Sequence, residues 1–376
     1  MTEHEPEHEA RRRSTAHSRR DLFTVAGAAA VAGAAGWLLH GVAAGGDPPS
    51  SVLPPGRPTP LPSGGSSATP VSGIAGITYP AVPQRHVLVS VLRLPGRGAA
   101  DILDSARQLA DVPRDVPTDA GDVTVTIGFS APIARELWPD RAALAADLPA
   151  FAGDRADLLA DGDIMLQICA ETSFAVAEVH ATLLDVLGAV DVVWSRTGYR
   201  DAPTPEGTMR TGIGFVDGII NPRSADEQAS GVWIHGSDDT FVVLRRMTVG
   251  GAFLSASVDE QERAIGRRRD TGAPLSGGDT MAEVDLFAKT VDGQTLTPNA
   301  SHARRAHPAN IGRPLMLRRS YSFDVDGAAG VLFVAFMNDP QTFIATQRRL
   351  DELDDLIRHT TTDATGCFFV PGADLR

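Results

Sequence analysis

Two short stretches and a pair of isolated cysteines hold most of the residues in this chain that could carry chemistry. Gly214-Phe215-Val216-Asp217-Gly218-Ile219-Ile220-Asn221-Pro222 sets one aspartate between glycines and ahead of an Asn-Pro pair. Taken alone, that pattern describes a tight loop. It also sets a carboxylate on backbone that can closely approach a ligand. Asn299-Ala300-Ser301-His302-Ala303-Arg304-Arg305-Ala306-His307-Pro308 brings two histidines together with two arginines. Such a cluster reads either as an exposed basic patch or as a source of an imidazole ligand. His180 falls in a helical pattern and His86 begins a strand, which suits structural or exposed roles. His359 ends a helix, where a partly positive imidazole matches the dipole. Cys169 and Cys367 are the only cysteines. Without CxxC spacing they exclude zinc ribbons, iron-sulfur ligation and a disulfide framework, and they read as two buried free thiols, with a single bridge between them as the alternative in an oxidising compartment.

The elements that must position these residues recur. HVLVSVLRL, DVTVTIGFS and DIMLQICAE have the β-branched content of strands. AADILDSARQLADV and SFAVAEVHATLLDVLGAV repeat apolar residues at helical spacing. Strand, helix, strand, strand, helix is the order of a ferredoxin-like unit. DTFVVLRRMTV, SVDEQERAIGR, the hairpin pair PLMLRRSYSF and GVLFVAFMN, and a long helix over 341–360 repeat that order before GCFFVPG. The expected fold is α+β: two ferredoxin-like halves, 73–205 and 206–376, whose antiparallel sheets form a dimeric α+β barrel-like body with an interior able to hold a flat ligand. The irregular stretch 200–231 between the halves is long enough to suggest function.

Ahead of this body, Ser18-Arg19-Arg20-Asp21-Leu22-Phe23 precedes an apolar run from Thr24 to Leu39. Residues 1–44 therefore read as a twin-arginine export signal, cleaved after Ala43 or Ala44 or retained as a tether. The run is shorter than a spanning helix needs and is broken by glycines. Residues 45–72, rich in Pro, Gly, Ser and Thr, read as a linker. The chain carries a formal net charge of -13, which excludes nucleic-acid binding through a phosphate footprint. The expected destination is the periplasm, the cell envelope or the medium.

Together, GFVDGIINP, EQERAIGRRRDTGAPLSG, SHARRAHP, LMLRRSYSF, GVLFVAFMNDP and QRRLDELDDLIRHT resemble, in order, the dye-decolorizing peroxidase family, in particular its exported deferrochelatase-like branch. The resemblance runs from about Gly76 to the C-terminus. It implies one haem b per chain, with His302 as the proximal iron ligand. It also implies Asp217 as the distal carboxylate and Arg318 as the distal arginine, with Arg319 the adjacent candidate. Gly218, Ser320 and Phe333 would complete the cofactor pocket, and Ser320 stands where some relatives carry asparagine.

Those roles suit the chemistry. A neutral imidazole supplies one strong axial donor and leaves the other haem face open. A carboxylate can shuttle the proton of hydrogen peroxide, and a fixed guanidinium can stabilise charge growing on the departing oxygen. The implied partners are hydrogen peroxide and a reducing organic donor such as a dye or phenol. Trp194, Trp233 and Tyr321 are candidates for oxidising bulky donors at the surface, with packing as the alternative for each. A proximal histidine donates its other ring proton to an acceptor, which the sequence does not identify. Two further readings stand beside the peroxidase: a haem-handling protein that works with iron-uptake components, and a cofactor-free α+β binding module.

Overall fold

Period-two alternation sorts the strand residues onto two faces, and most of the architecture follows from that sorting. The computed structural model describes residues 74–112, 121–155, 162–325 and 327–375. The leader over 1–44 and the linker over 45–72 lie outside the described residues.

The N-terminal elements are β1 (His86–Arg93), α1 (Ala99–Asp111), β2 (Thr124–Phe129), α2 (Ala131–Leu137), β3 (Ile164–Ala170), α3 (Ser173–Leu187) and β4 (Asp191–Tyr199). A short ribbon of β5 (Met209–Arg210) and β6 (Val216–Asp217) follows, then α4 (Ala225–Gly231) and β7 (Thr240–Val249). Next come α5 (Gly251–Leu254), α6 (Val258–Ile265), α7 (His302–Arg305) and α8 (Pro308–Ile311). The chain ends with β8 (Leu317–Arg318), β9 (Tyr321–Val325), β10 (Ala328–Met337), α9 (Gln341–Leu353) and β11 (Thr360–Val370).

The result is an α+β fold on one large antiparallel sheet, ordered β7-β11-β2-β3-β1-β4-β9-β10-β8. Pairing of β10 with β7, from Gly330↔Thr248 to Met337↔Phe241, closes the sheet on itself. The two seams are thin: β11 meets β2 at Phe369↔Phe129, and β4 meets β9 at Tyr199↔Ser322. Strand β4 is an element the sequence reading passed over. Its Val192 and Val193 are exposed, so it lacks the one-sided alternation that marks a half-buried strand.

Inward-facing Val87, Val89, Val91, Met165, Val242, Leu244, Tyr321, Phe323, Leu332, Val334 and Phe336 form one buried cluster. These side chains fill the barrel as expected for a closed sheet of this size, so the expectation of a ligand between two facing sheets is corrected. Outward-facing Leu88, Leu92, Leu166 and Ile168 pack under α1 and α3 in a second cluster. Helix α3 starts because the Thr172 side chain accepts from Ala175 N–H at 3.2 Å, and Gly188 at φ +68° ends it. Its Val176, Val179, Leu183 and Leu187 are buried there, each worth about 1.5–3 kcal/mol in area removed from water.

The helix expected over 341–360 stops at Leu353. Asp354 turns to extended backbone, with φ -87° and ψ 124°. Its Oδ1 accepts the Ile357 N–H at 2.8 Å, and a short 3-10 turn over Ile357–His359 leads straight into β11. A carboxylate that bonds backbone outside the helix competes with continuing it.

Candidate active site

The GFVDGIINP loop is built as a ribbon folded back on itself. Met209 pairs with Asp217 and Arg210 with Val216, and Thr211 N–H donates to Phe215 O at 2.8 Å. Gly214 sits at φ +90°, and a Cβ there would meet the Arg269 guanidinium at 2.6 Å. The positive φ calls for glycine there, whereas the flexible Arg269 side chain could move aside. Gly218, at φ +83°, donates its N–H to Asp217 Oδ1 at 2.6 Å.

The same loop grips Arg318. Asn221 Nδ2 donates to Arg318 O at 2.8 Å, and Asn221 Oδ1 accepts the Arg318 N–H at 2.9 Å. Arg318 Nη1 donates to Ile220 O at 2.9 Å, and Nη2 donates to Asp217 Oδ1 at 3.3 Å. Burial opposes charge on Asp217, but Arg318, the Gly218 N–H and Arg200 outweigh it and hold the carboxyl below its ordinary range. Arg319 is on the other face of the strand, buried, with its Nη1 donating to Pro80 O at 2.9 Å. Alternation therefore separates the two adjacent arginines, and Arg318 is the one beside Asp217.

His302 opens α7. Helix α6 is begun by a Ser257–Glu260 capping box and ended by Gly266 at φ +90°. A Cβ on Gly266 would meet Ser301 Oγ at 2.8 Å, so this glycine lets the end of α6 lie against the residue before His302. On the far side, His302 Nδ1 is 3.0 Å from Asp354 Oδ2. A carboxylate only accepts, so the imidazole donates Nδ1–H, and in its neutral form the lone pair stays on Nε2. Burial would push the His302 pKa down, but Asp354 outweighs it and raises the value. His307 has the opposite arrangement: its Nδ1 accepts the Ala309 N–H at 3.2 Å, which leaves Nε2 as the donor. Burial lowers its pKa.

Asp217, His302, His307, Arg318, Ser320 and Phe333 line one cavity of about 280 Å³. It lies outside the barrel, between the outward residues Met247, Val249, Val331 and Phe333 of the sheet and the helices α7, α8 and α9. Ile213, Phe215, Ile219, Leu315, Phe343 and Leu350 make much of its wall apolar. The side chains of His302, Asp217 and Arg318 keep 34%, 32% and 27% of their surface open. Gly218 is not among the lining residues and acts through Asp217. Ser320 Oγ accepts the Val334 N–H at 3.4 Å, and the Phe333 ring packs against Phe343 at 5.6 Å.

Asp354 and Asn221 are residues of the site that sequence reasoning did not single out, as are Arg267, Arg313 and Gln347, which line the same cavity, and Arg200, which helps hold the Asp217 carboxyl low. Trp194 and Trp233 are partly buried against the barrel core and Tyr321 is fully buried within it, which takes Tyr321 away from the surface. Cys169 and Cys367 are buried and free. Among the described residues no helix is long and apolar enough to cross a membrane, and no group of three or more His, Cys, Asp or Glu side chains is placed to hold a metal ion.

Comparison with known proteins matches residues 97–200 to the N-terminal, and 208–375 to the C-terminal, model of the Dyp-type peroxidases. A dye-decolorizing peroxidase of Thermobifida fusca (strain YX) is 33% identical across 95% of this chain and 94% of its own. A deferrochelatase of Escherichia coli (strain K12) is 29% identical across 64% and 65% respectively. Ferric DtpA from Streptomyces lividans superposes with a TM-score of 0.70 at 30% identity, over 79% of this chain and 90% of that one. A variant of DypB from Rhodococcus jostii RHA1, solved in complex with heme, shares the fold with a TM-score of 0.61 at 20% identity, over 78% and 94%. With one relative matched at that level along nearly its whole length, the chain belongs to the Dyp-type peroxidase family and is a dye-decolorizing-type peroxidase.

Proposed function

We propose that this protein is a haem-dependent peroxidase that uses hydrogen peroxide to oxidise dyes, phenols or similar donors. The observation that carries this reading is one cavity lined by both the Asp354-bonded His302 and the Asp217–Arg318 pair. The donor set fits haem b: one imidazole with its Nε2 lone pair available, apolar walls for a flat ring, and a charged pair that is not needed for ligation. When bound, haem supplies an iron able to accept electrons from donors and pass them to peroxide.

The chain's own residues do the rest. His302 would hold the iron through its Nε2, and Asp354, which accepts its Nδ1–H, would fix the tautomer and make the ligand more electron-rich. Asp217, kept ionised by Arg318 and the Gly218 N–H, takes a proton from one peroxide oxygen and returns it to the departing one. Arg318, with its backbone tied to Asn221 and its Nη1 to Ile220 O, presents fixed positive charge to that oxygen. Ser320 and Phe333 complete the pocket wall.

The test is an absorbance spectrum of the mature protein before and after peroxide. A Soret band that is lost in His302→Ala and kept in His307→Ala supports the ligand assignment. Absence of Soret absorbance after adding hemin would overturn the reading. The likeness to deferrochelatases favours a second use of the same pocket, the release or delivery of iron from haem, which would link the protein to iron-uptake components. Release of free porphyrin from supplied haem without peroxide turnover distinguishes it.

The strand orders β2-β3-β1-β4 and β11-β7-β10-β9 support the reading of two ferredoxin-like halves in one barrel-like body, divided near 205. The Arg19-Arg20 leader supports export by the twin-arginine route. Replacement of both arginines by lysine should hold the protein in the cytoplasm, and unchanged export in a fractionation assay would sink that assignment.

A further inference from the structure

Behind the cavity wall lies a buried pair that peroxide cleavage does not use. Arg318 and Ser320 face the cavity, and the next inward side chain on the same run is Tyr321. Tyr321 is 1% exposed and Cys169 is 0% exposed. The phenol hydroxyl donates to Cys169 Sγ at 3.4 Å. Tyr321 is on β9 and Cys169 on β3, with β1 and β4 between them, so the contact spans the barrel interior. Gly198 makes room for it, since a Cβ there would sit 2.7 Å from Tyr321 Cβ. The Arg200 guanidinium lies over the Tyr321 ring at 5.5 Å, and Arg319 is buried nearby.

The usual fates of an oxidisable thiol are closed to Cys169. Attack on peroxide in solution needs an exposed sulfur with a low pKa, whereas burial pushes this thiol up. Disulfide formation is closed as well: Cys367 belongs to the cluster outside the barrel wall and Cys169 to the one inside. The sulfur's hydrogen-bond partners are the Tyr321 phenol and the Thr124 side chain, and of the two only the phenol can be oxidised.

We propose that Cys169 and Tyr321 are an oxidisable pair that closes into a thioether when peroxide is consumed without an external donor. This rests on the peroxidase reading, because that reaction supplies the oxidant. The new bond joins Sγ to the ring carbon ortho to the hydroxyl. The S–H bond and that aromatic C–H bond break, and two electrons and two protons leave. One hydrogen peroxide takes up both electrons and both protons and becomes two waters, while the phenol keeps its O–H. The electrons cross a single sheet layer, since Arg318 and Ser320 on the same run face the cavity and Tyr321 faces the barrel. The guanidiniums of Arg200 and Arg319 disfavour positive charge on the ring, so each electron leaves coupled to a proton.

The test uses the full-length, haem-loaded protein, treated with hydrogen peroxide with and without an excess of an oxidisable dye. It is then denatured, alkylated with iodoacetamide and digested with trypsin. The expected result without dye is a joined peptide, lighter by two hydrogen atoms than the sum of those carrying Cys169 and Tyr321. Cys367 should remain fully alkylated as the internal control, and excess dye should protect Cys169. Tyr321→Phe should keep the Cys169 thiol, and Cys169→Ser should leave the Tyr321 peptide unmodified, so either variant serves if the other fails to fold. Full alkylation of Cys169 in a protein that bleaches the dye overturns the inference and leaves the peroxidase reading standing. A protein that takes up no haem overturns both.

Discussion

The barrel's outer wall is dressed in two different ways. Over β1 and β3, helices α1 and α3 bring Ile102, Ala106, Leu109, Val176, Val179 and Leu183 down onto the sheet, all at 4% exposure or less. Over β7 and β10, helices α7, α8 and α9 leave a cavity. The strand order is the same in both places, so the sheet does not decide which wall carries a site. The chain between the helix after the first strand and the next strand decides it. After α1 only residues 112–123 intervene before β2, whereas after α6 the chain runs from 266 to 316 before β8 and inserts α7 and α8. That excursion holds the helix layer off the sheet and delivers His302. A solid wall and a hollow one differ by a loop, as expected when function resides in connections on a rigid scaffold.

The largest test of this contrast is His302→Ala. It should abolish the Soret band and turnover while leaving the solid wall intact by circular dichroism, and a retained band would break the contrast. Next come Arg318→Ala and Asp217→Ala, each expected to slow the reaction with peroxide by about 10² to 10⁴. Arg318→Ala should be at least as severe, read by stopped-flow absorbance, and unchanged rates in both would remove the pair from the chemistry.

The pH profile sharpens the same point. Arg318 holds the Asp217 carboxyl low, so its removal raises that pKa and moves the acid limb of the residual activity to higher pH. In the intact protein, the stabilisation from ionised Asp217 is present above the unfolded carboxyl pKa and is lost as pH falls through the lowered folded value. Asp354→Asn should be milder, about 10- to 100-fold in haem affinity or activity, with the Soret maximum shifted and the band kept. Last, Leu183→Ala on the solid wall should cost about 2–5 kcal/mol in denaturant unfolding. Its effect on peroxide kinetics should be nil, and a large kinetic effect would mean that the two walls are coupled.

Parts of this arrangement were legible in the sequence for simple reasons. The run Leu317–Phe323 alternates, and period two sends Arg318 and Ser320 one way and Arg319 and Tyr321 the other, a sorting, passed over in the sequence reading, that sets Arg319 aside and moves Tyr321 off the surface. The glycines around Asp217 announced a turn close to something, and Gly214 and Gly218 do have positive φ. Asp354 was hidden because it stands in Asp351-Glu352-Leu353-Asp354-Asp355, where neither composition nor helical period separates one carboxylate from the next. Neither Gly nor Pro marks the end of α9, so the expected helix ran on into β11. The cavity's place outside the barrel was not legible either, since it depends on how 266–313 packs, a long-range matter with no local period. Asn221 looked like a turn residue, and its two bonds to Arg318 join positions far apart in the chain.

A pocket outside the barrel has a consequence for the order of assembly. Because aliphatic and aromatic side chains already fill the tube, the barrel does not wait for a cofactor to complete its core. On the proposed haem-peroxidase reading, haem docks late, against a finished wall, and its loss should loosen the three outer helices while the strands stay paired. Hydrogen exchange on the haem-free protein should find the slowest amides in the strands and the fastest-opening ones in α7, α8 and the end of α9.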